Sequence, residues 1–137
     1  MSTFGSTAEG SRASAGSPCP CGTGEDYASC CGPLHEGVAF AESAVRLMRS
    51  RYAAYVVHDT AYLLRTWHPR TRPHDLDASD GPAWQGLTVL ATADGRDGDS
   101  VGEVEFEARY EGGVLRERSQ FTRRGGRWVY VDAVTGD

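Results

Sequence analysis

Four cysteines, Cys19, Cys21, Cys30 and Cys31, fall within a short segment in the order C-x-C, eight residues, C-C, and the chain has no others. A stretch this short, dense in glycine and proline, buries too little apolar surface to hold a shape unaided. It needs a staple. Four soft thiolates suit a tetrahedral zinc ion, with Zn–S distances of about 2.3 Å. Gly22 and Gly24 permit tight turns around an ion, while Pro18 and Pro20 stiffen the approach. Cys19 and Cys21 would close on it from one turn, and Cys30 and Cys31 from another. Nothing in the spacing suggests an open coordination position, so the expected ion is structural. Such an ion supplies folding free energy on the order of 10 kcal/mol. The alternatives are two disulfides or idle buried thiols. Adjacent Cys30 and Cys31 favour a metal over idle thiols, and a reducing compartment disfavours disulfides. His35, four residues after Cys31, is an alternative fourth ligand and otherwise reads as a loop histidine.

The compartment is inferred from the N-terminus. Residues 1–17 are mostly Ser, Gly, Ala and Thr with no apolar run, so they do not read as a secretory signal. They bury too little to offset chain entropy and are expected to form a disordered leader. No apolar run approaches the roughly 20 residues of a membrane span, and the expected location is the cytoplasm. With 137 residues, 39% hydrophobic and 24% charged, the chain holds one domain and a small appendage. Its net charge of −5 argues against a general nucleic-acid binder, whose affinity rests on neutralising phosphates.

After a cysteine-rich segment over 18–37, the pattern predicts one α+β domain over 38–137. Val45, Met48, Tyr52, Tyr55 and Val56 recur at helical spacing within about 41–57, with Arg46, Arg49 and Ser50 mostly opposite. Asp59 or Thr60 can cap a second short helix holding Tyr62, Leu63, Leu64 and Trp67, limited by Pro69. A polar loop over 70–82 precedes four strands, near 84–93, 101–110, 115–124 and 127–134. Gly112-Gly113 and Gly125-Gly126 mark hairpins. Helices first, then an antiparallel meander, is an α+β arrangement. Asp94, Asp97 and Asp99 do not fit a calcium loop, because Val101 and Ala108 fall where carboxylates belong. The strand arginines and glutamates read as cross-strand pairs on a wet face.

Residues 19–32, Cys-Pro-Cys-Gly-Thr-Gly-Glu-Asp-Tyr-Ala-Ser-Cys-Cys-Gly, resemble the SEC-C zinc motif found at the C-terminus of the preprotein translocase ATPase. The motif's ligand positions fall on Cys19, Cys21, Cys30 and Cys31. Met48-Arg49-Ser50-Arg51-Tyr52, Thr66-Trp67-His68-Pro69, Arg116-Glu117-Arg118-Ser119 and Trp128-Val129-Tyr130-Val131-Asp132 resemble the YchJ-like family. That family pairs a SEC-C motif with a nuclear-transport-factor-2-like (NTF2-like) domain, a curved antiparallel sheet wrapped on helices as a cone. The resemblance implies this architecture over about 17–134 but carries no catalytic residues. It also implies a protein partner, such as a translocation chaperone or the ribosome. Residues 1–37, however, hold one arginine against four acids, and the lysines usual in the motif are missing.

A cone encloses a concavity, which directs attention to inward polar residues. On the third strand Leu115, Glu117, Ser119 and Phe121 share a face, and a carboxylate between Leu and Phe is unusual there. An inward Glu117 needs a cation or hydrogen-bond donors, because an unpaired buried charge is costly. Arg51 is the natural partner. The expected pocket set is therefore Arg51, His68, Glu117, Ser119, Trp128 and Asp132, with an internal Arg51–Glu117 ion pair as the purely structural alternative. No phosphate loop, nucleophile elbow or other catalytic set is present, so the sequence leans away from an enzyme. The expectation is a zinc-binding adaptor whose knuckle presents a surface to a protein. A small-molecule pocket or enzyme around Glu117 stands next, and ribosome or nucleic-acid association third.

Overall fold

The computed structural model describes residues 17–134; the expected leader lies, Ser17 apart, outside the described residues. Three helices, α1 (Cys31–Glu36), α2 (Ala44–Val57) and α3 (Thr60–Arg65), precede four strands. These are β1 (Trp84–Asp94), β2 (Val101–Tyr110), β3 (Gly113–Arg124) and β4 (Arg127–Ala133). The strands form one antiparallel sheet in the order β1-β2-β3-β4. No helix among the described residues is long and apolar enough to cross a membrane.

Local chemistry sets the helix ends. The Ser43 hydroxyl accepts the Arg46 N–H at 3.1 Å, satisfying one of the free donors at the start of α2. His58 ends α2 in the left-handed conformation, with φ 63°. Of the two candidate caps for α3, Asp59 takes the role, accepting from Tyr62 N at 3.0 Å. The Thr66 hydroxyl then donates to the Tyr62 carbonyl at 2.7 Å. Trp67 consequently lies beyond the helix, not within it, in a parallel bridge to Tyr130.

Strand register decides what faces inward. Val104 stands opposite Ser119, Phe106 opposite Glu117 and Ala108 opposite Leu115. Bulges in β1 at Trp84/Gly86 and Val89/Ala91, and in β4 at Val131 opposite Gln120/Phe121, bend and twist the sheet. On the other face Arg116 pairs with Glu105 at 2.8 Å and Arg118 with Glu103 at 2.6 Å. The β1–β2 loop is a turn in which Asp99 accepts the Arg96 N–H at 3.1 Å. Gly95 in that loop has φ +79°, and its carbonyl accepts the first N–H of α2 at 2.8 Å. A Cβ at Gly95 would meet that of Ala44 at 2.7 Å, so the close approach requires glycine.

The core joins Leu47, Met48 and Tyr52 of α2 and Leu63 of α3 to Val104, Phe106, Phe121 and Trp128 of the sheet. Each such side chain, fully buried, contributes about 1.5–3 kcal/mol. Helix α2 is buried on more than its expected stripe. Val45, Tyr55 and Val56 are only half-buried, whereas Ser50 is fully buried between the Leu47 carbonyl and the Tyr62 hydroxyl. Arg46 and Arg49, expected mostly opposite the buried stripe, are half-buried as well. The cysteine segment covers that side.

Candidate functional site

The cysteine segment is a knuckle closed by its own backbone. Cys19 N–H donates to the Glu25 carbonyl at 2.8 Å, and Pro18 bridges Asp26. Gly22 and Gly24 take φ near +90°, turning the chain so that Cys19 and Cys21 face inward. A 3-10 turn, Tyr27–Ser29, leads to Cys30 just before α1 and Cys31 as its first residue. All four cysteines are buried and free of disulfides, and their sulfurs lie within 4.8 Å of one another. Cys21 and Cys30 Sγ stand 3.6 Å apart. A tetrahedron with Zn–S bonds of 2.3 Å has edges of about 3.8 Å, so the donor set fits such an ion. Hydrogen bonds to Cys19 and Cys21, then burial, push the Cys31 thiol far above its ordinary range. Only a bound cation allows four thiolates at this spacing to ionise together.

Helix α2 supplies the outer shell. Arg46 donates to the Cys30 carbonyl at 2.7 Å and to Cys31 Sγ at 3.4 Å, and Arg49 donates to the Cys21 carbonyl at 2.7 Å. Ala53, one turn further, packs on the cysteines. His35 is neither a ligand nor a loop residue. It is buried in α1, with Nδ1 2.6 Å from the Tyr27 hydroxyl and Nε2 2.9 Å from the Ser50 carbonyl. A carbonyl only accepts, so Nε2 carries the proton and Nδ1 accepts from Tyr27. Burial holds His35 below its usual pKa.

The opposite side of α2 faces a cavity of about 300 Å³ between helix and sheet. Met48, Arg51, Tyr52 and Tyr55 line it from α2, and Glu117, Ser119 and Phe121 from β3. Trp67, Trp84 and Tyr130 complete an aromatic wall. Arg51, 5% exposed, lies 4.8 Å from the Trp67 ring centroid and 4.7 Å from that of Tyr130. Its Nη1 donates to the Leu63 carbonyl at 2.9 Å and to Thr66 Oγ1 at 2.7 Å. Burial lowers its pKa to about 10, so it remains charged at neutral pH. Glu117 Oε2 accepts from Ser119 Oγ at 2.8 Å and from the Tyr130 hydroxyl at 3.2 Å. Tyr130 is in turn pushed well above the usual phenol range by burial and by Glu117.

The expected Arg51–Glu117 ion pair does not form. Ring faces and oxygen acceptors hold the guanidinium, and two hydroxyls hold the carboxylate. Arg51, Glu117 and Ser119 line the cavity together, whereas three other expected residues do not. His68 accepts the Arg70 N–H on its own ring nitrogen, and Asp132 is exposed and accepts from Ala133 N. Trp128 is in the core beneath Arg123, while the register shift at Val131 pairs Asp132 with Gln120 and turns it off the face that carries Tyr130. Sequence reasoning missed the wall formed by Trp67, Trp84 and Tyr130. The alternation of Trp128, Tyr130 and Asp132 with valines left the inward face of β4 open, and Trp67 was assigned to a helix.

This geometry defines a class: an NTF2-like α+β domain carrying an N-terminal SEC-C cysteine knuckle. The family model described as YchJ, middle NTF2-like domain, matches residues 43–133, and the SEC-C motif matches residues 17–33. The chain belongs to the YchJ-like (UPF0225) family. A UPF0225 protein of Streptomyces coelicolor is 56% identical over 115 residues, spanning 84% of this chain and 93% of the relative. One from Deinococcus radiodurans is 48% identical, spanning 85% and 88%. The solution structure of a SEC-C motif containing protein from Rhodopseudomonas palustris superposes with a TM-score of 0.75 at 39% identity, covering 87% of this chain and 98% of that one. The crystal structure of a SEC-C motif containing protein from Psychrobacter arcticus gives 0.71 at 26% identity, covering 90% and 86%.

Proposed function

We propose that the chain is a zinc-stapled small-molecule-binding protein of the cytoplasm. The four cysteines hold a structural Zn²⁺, and the functional site is the cavity under α2. The observation that carries this reading is an apolar cavity with few convergent polar groups, Arg51, Glu117 and Ser119, whose two charges are not paired with each other. A reducing compartment keeps the thiols available to the metal. Elemental analysis of the purified chain should give one zinc per molecule. A thermal-shift screen of small molecules should return compounds that stabilise wild type but not Ala108→Phe, which fills the cavity from β2. A screen in which every stabilising compound acts equally on both proteins counts against the cavity.

The adaptor reading retains one supporting observation: residues 22–26 at the knuckle tip are all exposed while the sulfurs beneath are buried. That tip, bearing Glu25 and Asp26, is the surface a protein partner would meet; the SEC-C resemblance points to a translocation chaperone or the ribosome. Affinity capture with wild type and with Glu25→Lys/Asp26→Lys separates the two readings. Recovery of the same proteins in equal amounts removes the tip as a partner surface.

A further inference from the structure

Resting on the cavity reading, we propose that the cavity selects an organic cation: an amine on a flat apolar body, its N–H donated to Glu117 Oε1. Both hydrogen bonds to this carboxylate, from Ser119 and Tyr130, go to Oε2. Oε1 has no hydrogen-bond partner among the described residues, and no Lys, Arg or His forms an ion pair with Glu117 there. The carboxylate is therefore fixed by one oxygen and open by the other, on the wall of an apolar cavity.

Arg51 lines the same cavity and its charge reaches Glu117 at longer range, but it neither pairs with the carboxylate nor occupies Oε1. It lies against the Trp67 and Tyr130 rings, and Nη1 is held by Leu63 and Thr66. The remaining wall consists largely of aromatic rings. Trp84 sits edge-on to Tyr52 at 6.2 Å and tilted against Tyr55 at 6.5 Å, with Phe106 beside them in the lining. Aromatic faces are negative, so they attract a cation and repel an anion. A carboxylate with a free oxygen among such faces is complementary to an ammonium group, whose charge-assisted hydrogen bond is stronger than that of a neutral hydroxyl. An anionic ligand would meet the carboxylate and the ring faces unfavourably, and only Arg51 and the unpartnered indole N–H groups of Trp67 and Trp84 would favour it.

Calorimetry on the full-length, metal-loaded chain tests this with three probes of one skeleton: tryptamine, tryptophol and indole-3-propionate. Tryptamine should bind at least about tenfold more tightly than tryptophol, and indole-3-propionate more weakly than either. Glu117→Gln should reduce tryptamine affinity to that of tryptophol. Ser119→Ala, which removes one of the two hydrogen bonds that fix Oε2 without altering charge, should narrow the preference while leaving the fold intact by circular dichroism. Equal binding of tryptamine and tryptophol, tighter binding of the acid, or a tryptamine affinity indifferent to Glu117→Gln overturns the cation assignment and leaves the cavity reading standing. Binding by none of the three, or binding unchanged by Ala108→Phe, overturns both.

Discussion

His35 sits at the joint between knuckle and helix, and its environment dictates its protonation. Tyr27 donates to one ring nitrogen and the Ser50 carbonyl accepts from the other, while the Tyr62 ring lies tilted against it at 4.7 Å. The charged groups around it are mixed, with Asp59 favouring its protonated form and Arg65 and Arg46 opposing it. Burial dominates and depresses its pKa below 6.5. The unfolded chain then binds this proton more readily than the native one, so the associated stability is intact above about pH 6.5 and is lost as pH falls below it. Nitrogen NMR should find the neutral Nε2–H form at neutral pH; a charged ring there would contradict the geometry. Arg51 illustrates a second residue-scale effect. Arg51→Lys keeps the charge but loses the planar contacts with Trp67 and Tyr130 and part of the hydrogen bonding, and should cost about 1–3 kcal/mol in urea unfolding. That Arg51 and Glu117 both point inward was legible from helical and strand periodicity. Their partners were not, since ring faces that shelter a guanidinium leave no charge pattern in the sequence.

Helix α2 links the two candidate sites. Arg46, Arg49 and Ala53 touch the knuckle, whereas Met48, Arg51, Tyr52 and Tyr55 line the cavity. These sets lie on roughly opposite sides of a 3.6-residue repeat. Periodicity exposed the cavity side because Met48, Tyr52 and Tyr55 are apolar. The knuckle side leaves no apolar pattern, because its contacts come from arginines whose charged ends bond to backbone carbonyls and sulfur. Arg46→Ala removes three of those bonds, one to a carbonyl and two to sulfur, and should hasten transfer of the proposed zinc to a chromogenic chelator. Arg49→Ala, which removes one bond to a carbonyl and none to sulfur, should do so less. On the sheet the opposite holds. The Arg116–Glu105 pair was legible from alternation, yet Arg116 is 61% exposed at the side chain. Solvent screens such pairs, so Arg116→Ala should leave the melting temperature unchanged within error.

For the molecule as a whole, the question is whether the knuckle is an appendage or a part of the binding domain. An appendage would melt alone when its metal is removed. The contacts argue otherwise: the knuckle covers one side of α2, and α2 forms one wall of the cavity. If the cysteines hold the proposed zinc, its loss would remove folding free energy on the order of 10 kcal/mol from the knuckle, release Arg46 and Arg49, and uncover Ala53. Part of that loss must reach α2. The melting temperature should then fall by more than about 10 °C on chelation. Hydrogen exchange should speed up through α1 and across α2, including Arg51–Tyr55, while β2 and β3 stay protected by their own ladder. The indole signal of Trp84, whose ring meets those of Tyr52 and Tyr55 of α2, should shift as well. Faster exchange confined to residues 18–37, with Trp84 unmoved, would mean that metal and cavity are independent.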